Sequence, residues 1–263
     1  MTDSHTLTAV MDAAHKAGAR IMTDWRKGGA ITRKRDGSPV TDTDRAAEDI
    51  VVAALRKISP HTIIAEEAIA GGETYVLSDE PFWLVDALDG TRAFIAGFKD
   101  FTVNIALIDK GEPVFGVIYA PAFAEGWHAM RGHGAHRVVG DAVVPIRMRS
   151  VPEDGYHVLS GVRSAEAVVL EPFIGTHVVA QHYKRQSSLK FCMLAQGDFD
   201  LYPRLGPTSE WDTAAGDIIV REAGGALLDL RSKEPVQYGK ADRNFENGGF
   251  IAGSREALRI QVL

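Results

Sequence analysis

The stretch Trp83-Leu84-Val85-Asp86-Ala87-Leu88-Asp89-Gly90-Thr91 places the tightest limit on how this chain can fold. Its apolar start reads as a buried strand, yet the strand delivers two carboxylates and then at once Gly90 and Thr91. Repulsion between close carboxylates raises a pKa or demands a cation, and the cost grows as water is excluded. A divalent ion at the end of the strand removes the conflict. Oxygen donors without neighbouring His or Cys favour magnesium over zinc. An EF-hand is excluded, because its aspartates alternate every second residue before the glycine. Gly90 permits a tight turn or the close approach of a ligand. Thr91 opens a candidate helix whose free N–H groups suit a phosphate.

Length and composition narrow the setting. The 263 residues suffice for one large domain or two compact halves. A net charge of −6 gives no support to a nucleic-acid-binding surface, and an anionic substrate would need metal or local basic groups to neutralise it. The single Cys192 rules out an internal disulfide and a Cys-rich zinc site. The first residues carry no basic region followed by an apolar core, and no apolar run reaches ~18 residues. The expectation is a soluble, intracellular protein with no transmembrane segment.

Periodicity predicts a helix over 6–25, with Leu7, Val10, Ala14, Ala17 and Ile21 on one face. Thr41 and Asp44 have capping-box spacing and open a second helix, with Ala47, Ile50, Val51, Ala54 and Ile58 inward. Strands are expected at Thr62–Ala65, up to Asp86, and at Val103–Ile108, which Asp109–Glu112 turns into Val114–Tyr119. Two more, Glu125–Met130 and Ala135–Val139, flank the turn Arg131–Gly134. Past residue 150, strand and helix alternate. Strands are expected at Thr176–Ala180, Asp198–Tyr202 and Ala226–Asp229, and helices at Ser188–Gln196 and Asp212–Ala223. The pattern is α+β in residues 1–148 and α/β in residues 149–263.

Acidic residues collect at the ends of these elements: Glu66 and Glu67, Asp86 and Asp89, and Asp212. Asp212 also reads as a helix N-cap, Asp44 as a capping-box residue, and Glu66 with Glu67 as solvated turn residues. No pair of histidines has ligand spacing.

The segment Trp83–Thr91 resembles the first signature of the magnesium-dependent, lithium-sensitive inositol monophosphatase superfamily. Trp211-Asp212-Thr213-Ala214-Ala215-Gly216, with Glu222-Ala223-Gly224-Gly225, resembles its second. Glu66-Glu67 stands where that family has its acidic pair. Ala87 departs from the pattern, which has proline there; the loss of that restraint costs several tenths of a kcal/mol, roughly. Ser187–Cys192, Leu201–Thr208, Ser38–Thr41 with Asp44, and Phe101–Asp109 are similar to the bacterial 3'(2'),5'-bisphosphate nucleotidases of CysQ type. Arg163 stands where that subfamily often has a histidine in its nucleotide pocket.

The resemblance implies a layered α-β-α-β-α sandwich of two sub-domains, with the site between them. It implies that Glu66, Asp86, Asp89, Asp212 and the carbonyl of Leu88 hold two or three magnesium ions. Thr91 would relay a proton from the attacking water to Asp44, with Glu66 also in the catalytic set. Gly90, Thr91, Ser187, Lys190, Arg204 and Asp212 would contact a small nucleoside bisphosphate. Arg grips a phosphate through paired hydrogen bonds, although Lys190 and Arg204 also read as surface charges. The implied reaction is release of the 3'-phosphate of adenosine 3',5'-bisphosphate, in the setting of sulfate assimilation. The implied location is cytoplasmic, with some relatives peripheral at the inner membrane. An inositol monophosphatase and a non-catalytic nucleotide sensor on the same fold stay open as alternatives, as does oligomeric state.

Overall fold

The computed structural model describes residues 4–27, 31–33, 39–161 and 178–258. Helix α1 (Ser4–Trp25) buries Val10, Ala14, Ala17 and Ile21, the expected stripe. A short ladder of β1 (Ile31–Arg33) and β2 (Pro39–Thr41) leads straight into α2 (Asp42–Ile58). Ala47 and Val51 face inward in α2 as expected, but Leu55 takes the buried place assigned to Ala54. The same helix buries Thr43, Asp44 and Glu48.

The first sheet has seven strands. They are β3 (Thr62–Ala65), β4 (Phe82–Asp89), β5 (Thr102–Asp109), β6 (Glu112–Ala120), β7 (Glu125–Met130), β8 (Ala135–Val139) and β9 (Ala142–Ile146), side by side in chain order. Only β3 and β4 pair in parallel. The short helices α3 (Glu66–Ala70) and α4 (Thr91–Ile95) leave the ends of β3 and β4. The β5–β6 hairpin turns on Lys110 and Gly111, both at positive φ, the geometry that matches strand twist.

The second sheet runs β11 (Val179–Lys184), β10 (Tyr156–Ser160), β12 (Leu201–Arg204), β16 (Phe250–Ser254), β14 (Gly225–Asp229). The first two pairings are parallel and the last two antiparallel. Two-residue strands β13 (Thr208–Ser209) and β15 (Glu246–Asn247) form a separate ladder. Helices α5 (Leu189–Ala195) and α6 (Glu210–Glu222) lie between the two sheets, while α1 and α2 cover the far face of the first. The order is therefore α-β-α-β; the outermost helical layer expected beyond the second sheet lies outside the described residues. Being flanked by sheets, α6 is buried almost all round, and its apolar residues Trp211, Ala214, Ala215, Ile218 and Ile219 join the main core. No helix among the described residues is long and apolar enough to cross a membrane.

Several boundaries differ from expectation, three of them with a bearing on the second sheet and its helices. The strand expected at Asp198–Tyr202 begins only at Leu201, because Asp200 accepts two bonds from Arg149 and one from the His157 amide. The helix expected from Asp212 begins at Glu210. Strand β11 starts at Val179, and residues 176 and 177 lie outside the described set, as do Ser38 and Arg163. Strands β9, β10 and β16 have no counterpart in the sequence reading.

Candidate active site

The acidic cluster is created by an irregularity in β4. Side chains alternate along a strand, so residues 86 and 89 should face opposite ways. Instead Asp86 pairs with Asn104 and Asp89 with Thr102, three residues on β4 against two on β5. This β-bulge resets the alternation and turns both aspartates to one face. The two bulged residues, Ala87 and Leu88, which together oppose Val103, are buried on the opposite face among the side chains packed under α1 and α2. An alanine in place of the family's proline therefore fills apolar space at the bulge.

Gly90 follows at φ +94°. A Cβ there would sit 2.7 Å from the Asp100 carbonyl oxygen, so the turn admits only glycine. The turn points Thr91 back toward α2, where its Oγ1 donates to Asp44 Oδ1 at 2.9 Å and lies 3.3 Å from the Leu88 carbonyl oxygen. Asp44 is buried.

Two other elements complete the cluster. Glu66 opens α3, whose first turn is held from α2: Glu48 accepts the amides of Glu67 at 2.8 Å and Ala68 at 3.1 Å. Burial, then the neighbouring acids, raises Glu48 to about 7. Asp212 comes from α6, not as its N-cap but in its first turn. Its Oδ2 accepts the amide of Ser209, the residue before the helix, at 3.1 Å. Gly216 lets α6 press against α5, since a Cβ at that position would collide with the Phe191 ring at 2.3 Å.

One carboxylate oxygen from each of Glu66, Asp86 and Asp212 lies within 4.8 Å of the others. Asp89 stands beside this trio and is differently held. Its Oδ2 accepts the Ser188 hydroxyl at 2.7 Å, the Ser188 amide, and Asn104 Nδ2 at 3.4 Å. Ser188 thus ties β4 to the start of α5, and the carbonyl of Asp212 is a second acceptor 2.7 Å from its hydroxyl. Burial, then Glu66, Asp89 and Asp212, pushes Asp86 well above the usual carboxylate range. Burial, then Asp89 and Glu66, does the same to Asp212. Donor chemistry and spacing together fit a hard divalent cation: only oxygens, close enough to share an ion, and too crowded to ionise without one.

A cleft of about 560 Å³ opens over the cluster. Glu66, Asp89, Gly90, Thr91, Ser187, Lys190, Arg204 and Asp212 all line it, so the structure gathers the sequence-assigned contacts around one space. Lys190 Nζ donates to the Ser187 carbonyl at 2.6 Å and lies 5.1 Å from the centre of the Tyr202 ring. Arg204 Nε is 3.4 Å from the Gly206 carbonyl and acts on Asp212 by lowering its pKa. Sequence reasoning missed Ser188, Asn104 and Glu48, which orient the acids, and Arg92, Arg185, Tyr202 and Phe250, which line the cleft. Asn104 carried a signal, as an amide inside the apolar run Val103–Ile108. Glu48 carried none, being one acid among several on a polar helix face.

The inositol monophosphatase family model matches residues 3–261. The 3'(2'),5'-bisphosphate nucleotidase CysQ of Escherichia coli K12 is 37% identical over 246 residues, spanning 93% of this chain and 98% of its own. The same-named protein of Aggregatibacter actinomycetemcomitans is 30% identical, over 95% of this chain and 93% of its own. Among solved structures, CysQ from Bacteroides thetaiotaomicron superposes with a TM-score of 0.78 at 32% identity, covering 94% of this chain and 96% of that one. The Thermotoga maritima IMPase gives 0.76 at 26% identity, covering 96% and 92%.

Proposed function

The chain belongs to the inositol monophosphatase family, and from that premise we propose that it is a magnesium-dependent phosphatase releasing the 3'-phosphate of adenosine 3',5'-bisphosphate, with AMP as the other product. The observation that carries the reading is one cleft lined both by carboxylates and by cationic and aromatic side chains. An inositol monophosphate needs only the first set; a nucleoside bisphosphate, with its second phosphate and flat base, uses both.

In this proposal Glu66, Asp86, Asp89, Asp212 and the Leu88 carbonyl would hold two or three magnesium ions. Bound there, magnesium supplies Lewis acidity toward the phosphoryl oxygens, a lowered pKa for the attacking water and charge neutralisation at the leaving oxygen. The protein's own part is proton transfer and positioning. Thr91 Oγ1 takes the water's proton as its own passes to Asp44, along the 2.9 Å hydrogen bond. The new P–O bond forms from water, the bond to the ribose 3'-oxygen breaks, that oxygen takes a proton from solvent water to become the 3'-hydroxyl of AMP, and no covalent enzyme intermediate arises. Gly90 and Thr91 seat the transferred phosphate, Ser187 and Arg204 border the nucleotide, and Lys190 supports the Ser187 turn beside it. Residues 1–148 bring most of the metal ligands, and residues 149–263 complete the metal and nucleotide site. A cytoplasmic location belongs to the same reading.

Phosphate release in magnesium, measured across adenosine 3',5'-bisphosphate and inositol monophosphates, tests the proposal. A clear preference for the bisphosphate is expected. Preference for inositol phosphate would make the chain an inositol monophosphatase, and tight nucleotide binding without turnover would make it a sensor.

A further inference from the structure

Among the described residues the cleft carries four cationic side chains, and the two singled out in the sequence already have protein partners. Lys190 donates to the Ser187 carbonyl at 2.6 Å. Arg204 donates to the carbonyls of Gly206 at 3.4 Å and Pro207 at 3.3 Å. Ser187 sits at φ +53°, a conformation uncommon for any residue with a side chain, so a cation bound to its carbonyl holds that turn in shape.

Arg92 and Arg185 differ. Both line the cleft and both are exposed. Neither guanidinium has a hydrogen bond or ion pair with the described residues. Their placement follows from one backbone contact. A Cβ on Gly90 would lie 3.2 Å from Ser187 Cβ; Arg92 is two residues beyond the first, and Arg185 two residues before the second. The contact is held by Ser188 on Asp89 and by the Gln186 amide on Asp100 at 3.3 Å. Two guanidinium groups with no partner among the described residues are thus carried on one braced rim, over the cleft that Glu66, Asp89 and Asp212 also line. A dianionic phosphate offers oxygens suited to the paired N–H donors of a guanidinium group.

We propose that Arg92 and Arg185 bind the second, non-transferred phosphate of the substrate, and that Lys190 is a positioning residue for the Ser187 turn. The inference rests on the nucleotidase reading of this same cleft. It assigns preference for a bisphosphate over a monophosphate to two arginines that the sequence reading did not single out.

The test compares adenosine 3',5'-bisphosphate with adenosine 3'-monophosphate at saturating magnesium, for wild type, Arg92→Gln, Arg185→Gln, the double variant and Lys190→Gln. Wild type should prefer the bisphosphate in kcat/KM. Each arginine variant should raise KM for the bisphosphate about 5- to 10-fold, one charge-assisted contact at an exposed site, with kcat nearly constant. The double variant should treat both substrates alike. Lys190→Gln should lower turnover of both by the same factor. If wild type prefers the bisphosphate and the arginine variants keep that preference, or lose equally on both substrates, this inference fails alone. If wild type ignores the second phosphate, the nucleotidase reading fails and takes the inference with it.

Discussion

Replacing Asp86 by Asn should make the metal-free protein more stable and the magnesium-loaded protein relatively less so. The carboxylate oxygens of Glu66, Asp86 and Asp212 lie within 4.8 Å of one another. At that spacing and an effective dielectric constant near 20, each ionised pair costs ~3.5 kcal/mol. Asp86→Asn erases two of the three pairs while keeping an Oδ1 to accept the Leu88 amide, now at 2.9 Å. The native cluster already relieves part of this repulsion by holding protons, so the expected gain is a fraction of the Coulomb sum, about 1–3 kcal/mol. For a chain of this size that is a rise in Tm of roughly 2–5 °C in EDTA. Magnesium should reverse the order, since wild type gains ~2.7 kcal/mol at a hundred times Kd while the variant lacks one carboxylate ligand. The sign with pH follows. Native pKa values raised above the unfolded ones mean that the folded state holds more protons, so the metal-free wild type loses stability as pH climbs through that raised range. The slope should be shallower in Asp86→Asn. Thermal melts in EDTA and in magnesium, from pH 5 to 8, measure all of this. A variant that is less stable in EDTA, or that gains as much from magnesium as wild type, would refute the electrostatic reasoning.

Asp44→Asn and Thr91→Val should each lower kcat about 10²- to 10⁴-fold, with the magnesium-induced rise in Tm retained, because they act on the proton and not on the metal; steady-state kinetics beside melting curves check it. Gly90→Ala combines φ +94° with a 2.7 Å approach to the Asp100 carbonyl, so it should cost roughly 2–4 kcal/mol in denaturant titrations and displace Thr91 enough to depress kcat. His128 is pushed down to about 4 by burial and then by His136, whose ring stacks on it at 5.1 Å. The unfolded chain therefore takes that proton first, and the stability involved is whole above pH ~6.5 and drains as pH falls toward 4. His128→Gln should flatten the acid limb of the stability curve by roughly 1–2 kcal/mol, read by urea unfolding at pH 7 and 5.

What the sequence carried, and what it hid, divides along physical lines. The amphipathic helix at 6–25 and the apolar strand into Asp86 are local patterns, and both stand in the structure. Asp86 and Asp89, three residues apart at the end of an apolar strand, pointed to a cation in the sequence, whereas Glu66 and Asp212 joined them only through the family resemblance. The bulge that turns Asp86 and Asp89 to one face was not legible, because strict alternation alone places them on opposite faces. Ser188 was equally hidden, since its bond to Asp89 spans 99 positions of chain. Strand β16 is short and contains Gly253, and it is specified by antiparallel partners on both sides rather than by its own pattern. The late start of β12 has the same origin: Arg149 claims Asp200 from 51 residues away. Arg92 and Arg185 carried no signal in the sequence, and only the fold sets them on the rim of one cleft.

The central claim is that the crowded carboxylates exist to share divalent ions. A crystal soaked in Mn²⁺ and measured at the manganese edge tests this directly. Anomalous peaks are expected within coordinating distance of Glu66, Asp86 and Asp212, with Asp89 on a second ion. A map without peaks there, or with manganese bound only elsewhere, would contradict it.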